Sequence, residues 1–232
     1  MQTVTPAFSI AGIPATQSPE TTIKNASVTL SAPVSSAMAG TLNLSFAANA
    51  ADLPSAYMDP NLQFLNAPSK TTYNLTVPAG VTSVPMPEIN PGSVAGSITV
   101  TFTVGGQEVA ASTMTVEPVA PIITSVQIVS ASTGFDVEIV ASSTPRDIEN
   151  AVLTFTPAAG VKISGSNTVT LPVSSLLAQW YSSAEGQSNG SLFTLTVPFT
   201  ISGGGLNYIQ SVTVTLSNSV GTSTPVTGTP GG

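Results

Sequence analysis

Gly96-Ser97-Ile98-Thr99-Val100-Thr101-Phe102-Thr103-Val104 decides how this chain is read. Ile98, Val100, Phe102 and Val104 fall on one side of an extended backbone, and Ser97, Thr99, Thr101 and Thr103 fall on the other. A period of two is that of a β-strand with one face in a core and the other in water. Gly105-Gly106 then punctuates the run, as a turn would.

The same pattern spreads outward in both directions. Strand-like runs rich in Val, Ile, Thr and Phe occur at residues 26–31, 41–47, 62–65, 72–77 and 112–117 on one side of Pro118. Beyond it they occur at 125–130, 135–141, 151–156, 168–171, 192–201 and 210–217. Pro, Gly and Ser separate them. Six or seven strands in about a hundred residues, with frequent turns, predict a Greek-key sandwich of immunoglobulin type. Residues 3–22 are apolar but broken by Pro6, Pro14 and Pro19. They offer an extra edge strand through Ala7, Phe8, Ser9 and Ile10.

The two halves also echo one another. Phe64 and Phe155 are 91 residues apart, and Thr76-Val77-Pro78 precedes Thr170-Leu171-Pro172 by 94. Phe102-Thr103-Val104 and Phe199-Thr200-Ile201 differ by 97, and Met114-Thr115-Val116 and Val214-Thr215-Leu216 by 100. Slowly growing offsets suit two copies of one module with small loop insertions. The expectation is an all-β chain of two tandem immunoglobulin-like β-sandwiches. Residues 1–117 form the first, with an extended N-terminal segment, and 118–221 the second. Residues 222–232, rich in Thr, Pro and Gly, read as a C-terminal linker. Pro118 and Pro121 stiffen the junction. One short helix is predicted at 174–182 in the second module. Ser174 or Ser175 would cap it, and Leu176, Leu177, Trp180 and Tyr181 would lie on one side.

Composition restricts the chemistry. The 232 residues contain no His and no Cys, and 6% are charged, against about 25% in an ordinary globular chain. A mean hydropathy of +0.35 with 41% apolar residues still supplies a core. Polarity comes instead from 31 serines and 32 threonines. A net charge of −7 without a basic stripe argues against nucleic acid. Zero Cys excludes disulfides, thiolate metal sites and cysteine nucleophiles. No apolar run approaches the roughly 18–20 residues of a membrane helix. Met1-Gln2-Thr3-Val4 begins neither a basic nor an apolar signal region, so no signal peptide is expected in this stretch; if the protein is exported, its signal is expected to have been removed or to be missing from this sequence.

With His absent, catalysis would rest on carboxylates. Asp136 and Glu138 alternate on one strand, about 7 Å apart, and could in principle form a glycosidase-like pair, but a solvent-facing strand opposite buried Phe135, Val137 and Ile139 is the plainer reading. Arg146, the only arginine, stands beside Asp147 and Glu149 and is expected to pin a loop through a surface ion pair. Asp52 and Asp59 flank a loop that could present oxygens to Ca²⁺. The Asp-x-Asp-x-Asp-Gly spacing is missing, so a turn at Asp59-Pro60 is the plainer expectation. Trp180 and Tyr181 form a candidate polysaccharide platform or, with the leucines, a hydrophobic plug. Asn25, Asn43, Asn74 and Asn189 begin glycosylation sequons, which arise by chance in so Ser/Thr-rich a chain. Gly203-Gly204-Gly205 lacks the Lys and the helix of a phosphate loop. No catalytic residue, metal site or cofactor is expected.

Specific stretches carry a resemblance. Pro121-Ile122-Ile123-Thr124-Ser125-Val126, Ser143-Thr144-Pro145-Arg146-Asp147, Leu171-Pro172-Val173-Ser174-Ser175-Leu176, Gln179-Trp180-Tyr181 and Leu216-Ser217-Asn218-Ser219-Val220-Gly221 are similar to the immunoglobulin-like modules of large secreted acidobacterial proteins. Gly40-Thr41-Leu42-Asn43-Leu44-Ser45-Phe46 and Val77-Pro78-Ala79-Gly80 resemble their usual upstream partner. The resemblance covers most of the chain and implies the fold and an extracellular setting. It transfers no functional residue.

The function expected is therefore non-enzymatic: a secreted or cell-surface structural or adhesive protein. Self-association or contact with neighbouring immunoglobulin-like modules is foreseen, including filaments in which Ala7–Ile10 completes a neighbour's sheet. The alternative is a spacer or carbohydrate-binding module using Trp180 and Tyr181.

Overall fold

The computed structural model describes residues 6–50, 53–162, 164–200 and 206–231. The chain divides into two compact units, Met1–Glu117 and Pro118–Gly232, and each is a sandwich of mainly antiparallel sheets.

The first unit contains β1 (Phe8–Ala11), β2 (Thr16–Gln17), β3 (Ser27–Leu30), β4 (Met38–Ala48), β5 (Leu62–Phe64), β6 (Thr72–Val77), β7 (Ser83–Pro85), β8 (Ile89–Pro91), β9 (Gly96–Val104) and β10 (Gln107–Val116). One sheet runs β1-β3-β7 and the facing sheet β2-β10-β9-β4-β6, with β5 and β8 forming a short pair. The alternation quoted above is β9, whose Ile98, Val100 and Phe102 are wholly buried. Val104 and Gln107 close the β9–β10 hairpin around Gly105 and Gly106. Both glycines have positive φ, 58° and 81°, as a two-residue primed turn requires. The expected N-terminal edge strand forms as β1, antiparallel to β3, and Phe8 lies 5.7 Å from Phe102 across the core.

The second unit contains β11 (Ile122–Ala131), β12 (Gly134–Ser142), β13 (Asn150–Pro157), β14 (Thr168–Pro172), helix α1 (Ser174–Ser182), helix α2 (Ala184–Ser188), β15 (Leu192–Thr200), β16 (Ile209–Ser217) and β17 (Val226–Gly228). Its sheets run β11-β12-β15 and β14-β13-β16-β17. Between them Phe135 stacks on Phe199 at 5.2 Å, and both meet Phe155 edge-on. Val119, just before β11, is already fastened to this unit. Its N–H donates to Thr144 Oγ1, and its carbonyl accepts from Asn218 Nδ2.

Both units close in the same way. In the first, β2 pairs in parallel with the end of β10. In the second, a parallel bridge joins Ile128 of β11 to Pro230, just beyond β17. Residues 222–231 are thus not the linker their composition suggested. Val226–Gly228 is an edge strand of the second sandwich, registered against Val212–Val214.

The module repeats, but not through most of the residues that echo in sequence. The strand order β10-β9-β4-β6 corresponds to β17-β16-β13-β14, and β1-β3-β7 to β11-β12-β15. Thr76 in β6 and Thr170 in β14 do occupy equivalent strands. Phe102 in central β9 and Phe199 in edge strand β15 do not, nor do Met114 and Val214, nor Phe64 and Phe155. Val/Thr alternation is shared by every half-buried strand, so local matches equate strands with different neighbours.

Candidate functional site

The second unit departs from a bare sandwich at α1 and α2, which lie between β14 and β15. The predicted helix 174–182 forms, with a second, unpredicted helix following it. Neither Ser174 nor Ser175 caps α1: Val173 occupies the cap position with no side-chain bond. The serine cap belongs to α2, where Ser183 Oγ accepts from the Gly186 N–H at 3.0 Å.

The two adjacent aromatics of α1 diverge. Tyr181 is fully buried, its hydroxyl donates to the Ser191 carbonyl at 2.8 Å, and its ring meets Phe193 edge-on. It is core and cannot offer a face to a ligand, which corrects the expectation of a two-ring platform. Leu177 is buried with it, whereas Leu176 is 54% exposed rather than on the packed side. Consecutive helical residues are about 100° apart, so a buried stripe takes one of each neighbouring pair.

Trp180 stays at the surface, half-buried. Its indole N–H donates to the Leu192 carbonyl at 3.2 Å, which fixes the ring against the start of β15. There it borders an open groove of about 510 Å³, lined also by Glu185 and Asn189 of the α2 region and by Leu192, Thr194 and Thr196 of β15. Thr194 and Thr196 alternate on the outer face of the sheet, opposite Val140 and Glu138 of β12. Sequence reasoning missed the α2 residues because Ala-Glu-Gly-Gln-Ser carries no apolar periodicity. The outward pair Thr194 and Thr196 was legible in the alternation of β15.

Arg146 departs from expectation. It is 4% exposed, with φ of 62°, and so is a buried side chain rather than a surface one. Its guanidinium donates to the carbonyls of Gly186 and Gly190 and to that of Tyr181. These oxygens lie at and just beyond the C-terminal ends of α1 and α2, where helix dipoles favour a cation. Arg146 thereby ties the β12–β13 connection to the helical segment. Asp147 Oδ2 accepts from the Ser219 N–H at 3.3 Å, and Glu149 is exposed.

Asp136 and Glu138 are half-buried on the outer face of β12, the middle strand of its sheet. Glu138 stands in register with Gln127 and Thr196, and Asp136 with Val129 and Pro198. The two carboxylates share an open sheet face rather than an enclosed pocket. In the first unit Asp59 is 2% exposed, and Oδ2 accepts from the N–H groups of Ser93 and Val94 at 2.6 Å each. Oδ1 accepts from the Asn61 N–H at 2.9 Å. Asp59 therefore holds two loops together, and Asp52 and residues 203–205 lie outside the described residues. Among the described residues no group of three or more Asp and Glu could hold a metal ion, and no helix is long and apolar enough to cross a membrane. In the Ala7–Ile10 segment, Ala7 exchanges hydrogen bonds with Ser31, and Ser9 Oγ is 2.7 Å from Thr29 Oγ1. The segment completes its own sheet.

No protein-family model matches the chain, and no curated protein matches it in sequence. Among solved structures, the chain is similar to a segment of two fibronectin type-III domains from chicken tenascin, at 14% identity and a TM-score of 0.30, over 96% of this chain and 97% of that one. It is also similar to the class 5 fimbriae chaperone CfaA, at 10% identity and a TM-score of 0.34, over 96% and 99% of the two chains. A third similarity is to the Escherichia coli adhesin FdeC, at 13% identity and a TM-score of 0.26, over 98% of this chain and 64% of that one. By its own strand order, the chain is an all-β pair of tandem immunoglobulin-like sandwiches.

Proposed function

We propose that this chain is a non-enzymatic structural or adhesive protein, displayed or released outside a bacterial cell, whose sandwiches associate edge to edge. Its charge-poor, Ser/Thr-rich polarity supports the extracellular setting.

One observation carries the assembly reading. Within the described strands, the charged residues are Asp136 and Glu138 of β12, which is interior to its sheet, and Glu108 of β10, which lies beyond the Thr115–Val116 stretch that β2 covers. The edge strands β1, β2, β6, β7, β11, β14, β15 and β17 carry no charge at all. Edges are usually guarded by Lys and other charges against pairing with another chain. Here that guard is missing from the outermost strands, leaving edges of 2–10 residues compatible with strand addition. β1 already pairs with β3 of its own unit, so it completes a neighbour's sheet by exchange between copies or offers its free edge for addition.

Sedimentation velocity and negative-stain electron microscopy test the proposal. The chain is expected to form concentration-dependent assemblies, and Asn74→Lys in β6 or Thr170→Lys in β14, both exposed edge positions, is expected to return it to monomer. A wild-type chain that stays monomeric at high concentration would overturn the edge-association reading. Assemblies indifferent to both lysines would do so as well.

A further inference from the structure

We propose that the groove beside Trp180 binds a chain of neutral sugars. The inference rests on the adhesive reading above and supplies it with a ligand class.

The site combines what a pyranose chain needs. Sugars present C–H patches that settle on aromatic faces and a rim of hydroxyls that exchange hydrogen bonds with amides, carboxylates and hydroxyls. Trp180 provides the ring, and it is held before any ligand arrives. Its N–H is committed to the Leu192 carbonyl, while the next residue, Tyr181, is anchored in the core under Arg146. A ring fixed in this way loses little conformational freedom on binding. Along the floor, Thr194 and Thr196 point the same way about 7 Å apart by strand rise, and both are exposed. Glu185 and Asn189 line the groove from the helical side with a carboxylate and an amide. The groove is open and shallow, so it suits the flank of a polymer better than an engulfed small molecule.

Charge selects among polysaccharides. Glu185 lines the groove, and Glu138 lies in register with Thr196 on the same sheet face. No Lys or Arg is among the groove's lining residues, and Arg146 of the same unit is buried with its guanidinium on backbone carbonyls. Polyuronates and sulfated glycans would meet carboxylates without a compensating cation, so the ligand is an uncharged glycan.

Affinity electrophoresis of the full chain tests the assignment, in gels containing xylan, mixed-linkage β-glucan, galactomannan or polygalacturonate, beside a pull-down on insoluble cellulose. At least one neutral polysaccharide is expected to retain the chain and polygalacturonate is not. Trp180→Ala should weaken retention about tenfold or more. Thr196→Ala, an exposed change that leaves the core intact, should weaken it several-fold, and Leu176→Ala should leave it unchanged. Thermal melts of each variant separate lost binding from lost folding. Retention by polygalacturonate alone, no retention by any polymer, or retention indifferent to both Trp180→Ala and Thr196→Ala would overturn the proposal. A Trp180→Ala change that alters sedimentation in place of retention would identify the groove as an interface between copies and overturn it equally. If edge assembly persists while no glycan is retained, the glycan inference fails and the structural reading stands.

Discussion

The guanidinium of Arg146 lies 4.6 Å from the centre of the Tyr181 ring, and one of its nitrogens donates to the backbone carbonyl of the same residue. A single side chain thus holds both the ring and the backbone at the end of α1. The contact is buried, so the cation gains from the ring and the carbonyls without screening by water.

Replacing Arg146 is expected to cost the second unit about 3 kcal/mol or more, because buried carbonyls lose a charged donor. Arg146→Lys should recover little of this loss, since a compact ammonium cannot reproduce the planar fork that reaches Tyr181, Gly186 and Gly190. Arg146→Gly would relieve the positive φ of 62° yet still lose the donors, and should be comparably unstable. Urea unfolding followed by the fluorescence of the lone tryptophan, which lies in this unit, reads the effect directly.

Asp59 makes a similar prediction for the first unit. Both carboxylate oxygens are occupied by backbone N–H donors, those of Asn61, Ser93 and Val94. Asp59→Ala should lower stability by about 2 kcal/mol, as buried N–H groups are left unpaired. Asp59→Asn should recover little, because its amide would point a donor at either the Asn61 N–H or the Ser93 and Val94 pair. EDTA should leave the wild-type melting temperature unchanged, since these oxygens are filled by the backbone. A drop of several degrees on chelation would instead mean that a cation contributes there.

The alternation in Ser97–Val104 was legible because side-chain direction in a strand is a local property with period two. Helix 174–182 was legible for the same kind of reason. The choice between Leu176 and Leu177, and between Trp180 and Tyr181, was not. Both members of each pair can be buried, and the partners of Tyr181 are distant in sequence: Arg146 arrives from a connection 35 residues earlier, and the Ser191 carbonyl accepts from its hydroxyl. The groove was only half legible: Thr194 and Thr196 follow from alternation, but Glu185 and Asn189 sit on a five-residue helix with no apolar pattern. Charge placement was fully visible in the sequence, yet its meaning depended on knowing which strands are interior.

The C-terminal stretch offers the sharpest contrast between composition and structure. Thr222-Ser223-Thr224-Pro225-Val226-Thr227-Gly228 reads as a linker, but Ser223 Oγ accepts from the Leu216 N–H at 3.0 Å and Val226–Gly228 pairs with β16. Deleting residues 222–232 should therefore destabilise the second unit by several kcal/mol, because it strips an edge strand and exposes part of the core around Val212 and Val214. A point change gives the same answer without truncation. A Cβ on Gly228 would stand 2.5 Å from the Val126 carbonyl oxygen and 2.7 Å from Val126 Cγ1. That approach is to backbone, which yields little, so Gly228→Ala should cost about 1–3 kcal/mol by displacing β17 from β11. The check is a two-transition melt in which the tryptophan-reported step moves down and the other step stays. An unaltered melt for both Gly228→Ala and the truncation would mean that the tail is a linker after all.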